Sequence, residues 1–154
     1  MSDRRVAESF TEFVRDLEPR LKHALVAAYG TEVGIEATRD ALAYGWEHWD
    51  TVRERVNPAG YLFGVGRNKA RRRVRRRVVF PVPPSGHELW VEPGLPDALR
   101  RLSERQRLAV MLIHGYEWTF VEVAELMGVS VSTVQQHAER GMSKLRVAIG
   151  AGHL

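Results

Sequence analysis

The stretch TFVEVAELMGVSVSTVQQHAERGMSKLR, residues 119–146, decides how the second half of the chain folds. Thr119 and Glu122 have capping-box spacing, in which each side chain accepts the other residue's backbone N–H at a helix start. The apolar run FVEVAELM follows, and Gly128 stands where the chain must turn through a left-handed conformation, which glycine adopts without penalty. Ser130 then caps a second helix, expected from Val131 to about Ile149. Ala124 is small where that helix must pack close, Val134 anchors it, and Val123, Leu126, Val131, Ala138 and Leu145 can supply a shared core. The layout is a helix-turn-helix.

The outward positions of the second helix are Ser132, Thr133, Gln135, Gln136, His137, Arg140 and Lys144. Hydroxyls and helix N-terminal amides suit phosphates, and Gln can bond adenine at two points in a major groove. Two amphipathic helices with a solvated polar face would show the same pattern, so both readings stand at this point.

Upstream, Ser103 and Gln106 form a second capping-box pair, opening a helix to about His114, and Pro96 can start the short helix DALRRL. Before these lies VVFPVPPSGHELWVEPGLP, residues 78–96, with five prolines and two glycines. Proline removes backbone donors and fixes φ, so this stretch reads as an extended, semi-stiff linker, placed at 78–94.

In the first half, apolar residues recur at helical spacing from Val6 through Phe10, Phe13, Leu17, Leu21 and Leu25 to Ala28. Pro19 is expected to break or kink that helix, Gly30 to stop it, and Thr31 to cap a second one running to about Trp49. A polar loop from Asp50 to Pro58 leads to a third helix containing GYLFGVGRNKARRRVRRR, residues 60–77. A dinucleotide loop needs G-x-G-x-x-G after a strand, but Lys69 occupies the last position and no strand precedes it; the P-loop pattern is also missing. Gly64 and Gly66 are therefore expected to permit close approach by a neighbour. Residues 67–77 hold seven Arg, one Lys and no acid. On a helix Phe63, Ala70 and Val74 form an inner stripe, leaving Arg71, Arg72, Arg75 and Arg76 outward. Like charges at i,i+4 repel, so the run suits a polyanion, with phosphate the expected counter-charge. Trp46 and Phe63 read as core, whereas aromatics beside a basic groove also suit stacking on unpaired bases.

The charge distribution agrees. Residues 1–54 carry 7 basic and 11 acidic side chains, residues 55–87 carry 9 and none, and residues 88–154 carry 7 and 8. The chain has 154 residues and no cysteine, which excludes disulfides, thiolate nucleophiles and Cys-based zinc sites. None of its 6 histidines forms an H-E-x-x-H or comparable pair, so no enzyme, metal or cofactor is expected. MSDRRVAESF lacks the apolar segment of a signal peptide, and no stretch is apolar enough to cross a bilayer, so a cytoplasmic, nucleoid-associated location is the expectation. The fold class is all-α: two small helical domains, residues 5–77 and 95–150, joined by the linker.

With both motifs in view, the chain resembles a bacterial RNA polymerase sigma factor of the extracytoplasmic-function group in the sigma-70 family. TEVGIEATRDALAYGWEHWDTVRERVNPAGYLFGVGRNKARRRVRRR resembles region 2, a domain of three to four helices. LPDALRRLSERQRLAVMLIHGYEWTFVEVAELMGVSVSTVQQHAERGMSKLR resembles region 4, with L-x-x-R-Q-R ahead of the helix-turn-helix. The resemblance implies core RNA polymerase as partner, through the β′ clamp and the β flap, and promoter DNA, double-stranded and melted. It implies polymerase docking by Glu36, Arg39, Asp40 and Trp46. It implies contact with the −10 element and the non-template strand by Asn57, Tyr61, Arg67, Asn68, Lys69, Arg72, Arg75 and Arg76. The final helix would read the −35 element through Ser132, Thr133, Gln135, Gln136, His137, Arg140 and Lys144. An anti-sigma factor is a further partner of such proteins; a small-molecule substrate and a membrane are not expected. A stand-alone helix-turn-helix regulator is the alternative.

Five positions depart from the family pattern. Lys69 and Arg72 replace apolar and acidic residues, Gln135 replaces a basic one, and Ala37 and Thr38 stand where bulkier apolar residues are common in the docking helix.

Overall fold

The computed structural model describes residues 3–73 and 78–150, and all the secondary structure in them is helical. The first half contains α1 (Asp3–Tyr29), α2 (Thr31–Glu47), the single turn α3 (Trp49–Val52) and α4 (Pro58–Arg73). The second contains α5 (Leu95–Arg101), α6 (Glu104–Val110), α7 (Phe120–Met127) and α8 (Val131–Ile149).

The first half is organised by α1, which packs on both α2 and α4. Contrary to expectation, Pro19 does not break α1, which runs 27 residues through it. The helix loses one backbone bond there, but Pro19 is exposed, while Leu17, Leu21, Ala24, Leu25 and Ala28 on the opposite side are buried. Burial of that stripe outweighs the local defect. Gly30 ends α1 at φ 92° and itself serves as the N-cap of α2. Thr31, expected as the cap, is the first residue inside the helix and makes no capping bond.

The α1–α2 crossing is close because α2 presents small residues. A β-carbon on Gly34 would stand 2.5 Å from the Val26 backbone. Ala37, Thr38 and Ala41 are buried on the same face, and the Thr38 hydroxyl donates to the Gly34 carbonyl at 2.7 Å. The small size of Ala37 and Thr38 thus serves packing against α1, and they present nothing outward.

The second half is built around α8, which packs on α5, α6 and α7. Both predicted capping boxes form, at Ser103 with Gln106 and at Thr119 with Glu122. After α6 the chain continues as one wide π turn, Met111–Gly115, in which Tyr116 N–H reaches the Met111 carbonyl at 3.0 Å. Gly128 ends α7 at φ 69°, ψ 35°, and the Ser130 side chain caps α8.

The proline-rich stretch is less free than its composition suggests. Val79 O accepts a bond from Thr31 N–H, and Val78 O accepts one from Arg100. Downstream, Glu88–Val91 forms a 3₁₀ turn that buries Leu89 and Trp90, with Trp90 only 5% exposed. The Trp90 indole N–H donates to Ser85 Oγ at 2.7 Å. Pro83 lies against Gly115, where a β-carbon would come within 2.7 Å. Aromatic burial with its one polar atom satisfied anchors this stretch on the second half. The buried side chains of both halves form one continuous cluster.

Candidate nucleic-acid interface

The helix-turn-helix is assembled as the sequence implied. Val123, Ala124, Leu126, Val134, Ala138 and Leu145 are buried. Val131, assigned to the shared core, is instead exposed at the start of α8. Ser132, Gln135, Gln136, Arg140 and Lys144 are exposed, and Thr133 is half-buried beside the Ser130 cap, 2.8 Å from its hydroxyl. Ser132, Gln135, Gln136, Arg140 and Lys144 border a broad open groove of about 1350 Å³ along α8, reaching His114 and Phe120. Lys144 Nζ is committed to Gln106 Oε1 at 3.0 Å. His137 departs from its outward reading. It is half-buried, and its Nε2 is enclosed without a hydrogen-bond partner. Burial, with Arg105 and Arg140 nearby, holds its pKa below the usual imidazole value.

In the basic helix α4, Asn57 is the N-cap, a role the sequence reading missed although an Asn-Pro start signals it. Its Oδ1 accepts from Gly60 N–H at 2.9 Å, and its Nδ2 donates to the Glu125 carbonyl on α7 at 2.7 Å. Tyr61 is half-buried, 3.3 Å from the Tyr44 hydroxyl, with the Arg55 guanidinium 4.1 Å above its ring. Tyr44 stacks on His48 at 4.1 Å. This run of rings and guanidinium beside α4 was not visible in the sequence, because its members come from α2, the following loop and α4.

Phe63 and Ala70 form the inner stripe, both buried. Asn68 and Arg72 are exposed, and Lys69 is half-buried. Arg75 and Arg76, with Val74, lie outside the described residues. The two glycines differ. Gly66 is buried against Leu25, whereas Gly64 has nothing nearer than Arg67 Nη2 at 3.9 Å.

The arginine run is not left wholly to an external polyanion. Arg71 Nη2 lies 2.8 Å from Glu104 Oε2, and its Nε donates to the same carboxylate at 3.0 Å. Arg73 pairs with Glu36 and Asp40. The counter-charges come from α6 and α2, far away in sequence. Two of the predicted docking acids thus face Arg73, and Arg39 is exposed. Trp46, read as core, is instead 49% exposed, with Phe10 at 5.4 Å on one side. Trp49 takes the core position.

Among the described residues, no group of three or more His, Asp and Glu side chains could hold a metal ion. None of the described helices is long and apolar enough to cross a membrane.

Residues 94–145 match the family model described as sigma-70, region 4. The chain is also similar to a solved structure, the sigma factor RpoE in complex with the anti-sigma factor NepR from Bartonella quintana. The two are 19% identical with a TM-score of 0.62, covering 92% of this chain and 97% of that one. No curated protein matches the sequence. Residues 94–145 are thus similar to sigma-70 region 4, and the overall fold is shared with that sigma factor structure.

Proposed function

We propose that this protein is a promoter-specificity subunit of RNA polymerase, working in the cytoplasm as a binding protein with no catalytic step of its own. The observation that carries this reading is the pairing of two different DNA-suited surfaces on one sigma fold. One is the exposed polar face of α8, with Ser132, Gln135, Gln136 and Arg140. The other is the one-signed face of α4, with Tyr61, Asn68, Lys69 and Arg72. A duplex reader needs only the first. Rings next to unpaired cations suit a separated strand, whose bases are free to stack.

On this reading α8 enters a major groove, where Gln135 and Gln136 meet base edges and Arg140 meets phosphate. The α4 face, together with Arg75 and Arg76, holds the non-template strand. Glu36, Arg39, Asp40 and Trp46 on α2 meet the polymerase, and an anti-sigma factor is the expected antagonist. Residues 5–77 and 95–150 act as the two domains, with 78–94 between them.

The test is reconstitution. Purified protein added to core RNA polymerase is expected to form a stable complex and start transcription at discrete sites on genomic fragments. If no complex and no start sites appear while duplex binding persists, the stand-alone regulator is the correct reading.

A further inference from the structure

We infer that Arg73 is a strand-binding residue held in reserve: Glu36 and Asp40 of α2 occupy its guanidinium until a basic partner surface takes those carboxylates, so that docking and single-strand capture are coupled. The inference rests on the roles proposed above for α2 and α4.

The cations along α4 differ in what meets them. Lys69 and Arg72 pair with no acid among the described residues, and Arg72 is exposed. Arg71 is held by Glu104 of α6. Arg73, the last described residue of α4, is met by α2 instead. Its Nη1 lies against Asp40 Oδ2 and 3.7 Å from Glu36 Oε2. Asp40 Oδ2 is enclosed and makes no aligned hydrogen bond, so its charge is met by that guanidinium. Two carboxylates at one guanidinium cancel its attraction for phosphate. They also offset the repulsion of Arg73 by Lys69 one turn away.

Arg73 stands beside the strand face. Successive helix residues are about 100° apart, so Tyr61, Asn68 and Arg72 share one stripe, and Lys69 and Arg73 form the next. A swing of the long Arg73 side chain, with α4 in place, carries its charge from α2 to a phosphate next to Arg72. The pair is not sealed: the Arg73, Glu36 and Asp40 side chains are 41%, 38% and 32% exposed. Exposed ion pairs are weak and screened by salt, so an external cation can take the acids from Arg73. Residues 1–54 carry 7 basic and 11 acidic side chains, a balance that favours a basic partner. Whatever strand binding gains from docking, docking gains from the strand.

Strand binding by the free chain tests the reserve. The probe is a fluorescent mixed-sequence single strand, titrated at several salt concentrations. Glu36→Gln with Asp40→Asn is expected to steepen the salt dependence by about 0.7 unit, the share of one phosphate contact on a single strand. Adding Arg73→Gln should abolish that gain, whereas Arg73→Gln in the parent chain should change the slope far less. Equal effects of Arg73→Gln in the two backgrounds, or none in either, overturn the inference and leave α4 as the strand face. If none of these chains binds the strand, the role proposed for α4 is wrong and the inference falls with it.

Core RNA polymerase tests the coupling. Bound to it, the parent chain should hold the strand more tightly than the Arg73→Gln chain, by a factor roughly threefold larger than separates the two when free. The same factor in both states overturns the coupling. Failure to form the complex overturns it together with the proposed function.

Discussion

A β-carbon placed on Gly66 would stand 2.6 Å from Leu25 Cδ1, so the absence of a side chain on α4 is what lets α1 lie against it. Two residues earlier, a β-carbon on Gly64 would meet nothing nearer than Arg67 Nη2 at 3.9 Å, an ordinary contact. The pair yields opposite expectations for one chemical change. Gly66→Ala overpacks a filled core and should destabilise by about 1–3 kcal/mol. Gly64→Ala removes a helix-weakening residue without a clash and should stabilise by about 0.5–1 kcal/mol. Urea unfolding of the two variants checks both signs; destabilisation by Gly64→Ala would mean that its backbone must stay bare for another reason.

The capping boxes give a second measurement. Ser103 and Thr119 each accept the backbone N–H three residues on, at 3.1 Å. Replacing either with Ala should cost about 1 kcal/mol. Replacing Thr31, which caps nothing, should cost measurably less in the same assay.

Acid should weaken the fold. Burial is the main cause holding the imidazoles of His23, His114 and His137 below their ordinary pKa, with Lys22, His87 and Arg105 next for each in turn. The unfolded chain takes up these protons near pH 6.5. It therefore binds more protons than the folded chain just below that pH. Stability is full above about 6.5 and falls as pH drops through it. The thermal midpoint is expected to be lower at pH 5.5 than at pH 7.5, and His114→Gln should shrink the difference. A midpoint independent of pH over that span would contradict the burial of these rings.

On DNA, the residues of α8 should separate by role. Gln135→Ala or Gln136→Ala should cost about 1–3 kcal/mol on the preferred duplex and little on others, if that side chain makes a two-point base contact. Arg140→Ala should weaken all duplexes alike and reduce the salt dependence by about one unit. Neutralising Arg72, Arg75 and Arg76 together should do the same for single strands. Titrations at several salt concentrations distinguish these outcomes.

What could be read from the sequence divides along local and distant contacts. The boxes at Ser103 and Thr119, the turn at Gly128 and the anchor Val134 depend on neighbours a few residues away, and all stand as read. The break allowed for at Pro19 does not occur, because a buried stripe of leucines, not local propensity, decides whether α1 continues. Trp46 was misread for a related reason: α2 breaks at His48, and Trp49 just beyond the break is the ring that is buried. Gly141 gave no signal at all, yet a β-carbon there would meet Val110 Cγ2 at 2.5 Å where α8 crosses α6. The partners of the arginines were hidden too, since Glu104 lies 33 positions from Arg71.

The burial of Trp90 has a consequence for reach. With Leu89 and Trp90 fixed to the second domain and α4 described to Arg73, the longest tether the halves could share, once the contacts of Val78, Val79 and Pro83 are released, is the chain from 74 to 88. Drawn fully straight, it spans roughly 50 Å. Were Trp90 to leave its seat, the tether would extend to Gly94 and lengthen by roughly 20 Å, or about six base-pair steps along a duplex at ~3.4 Å each. If both faces bind DNA as proposed, a single indole sets the ruler between the two elements that one chain holds at once.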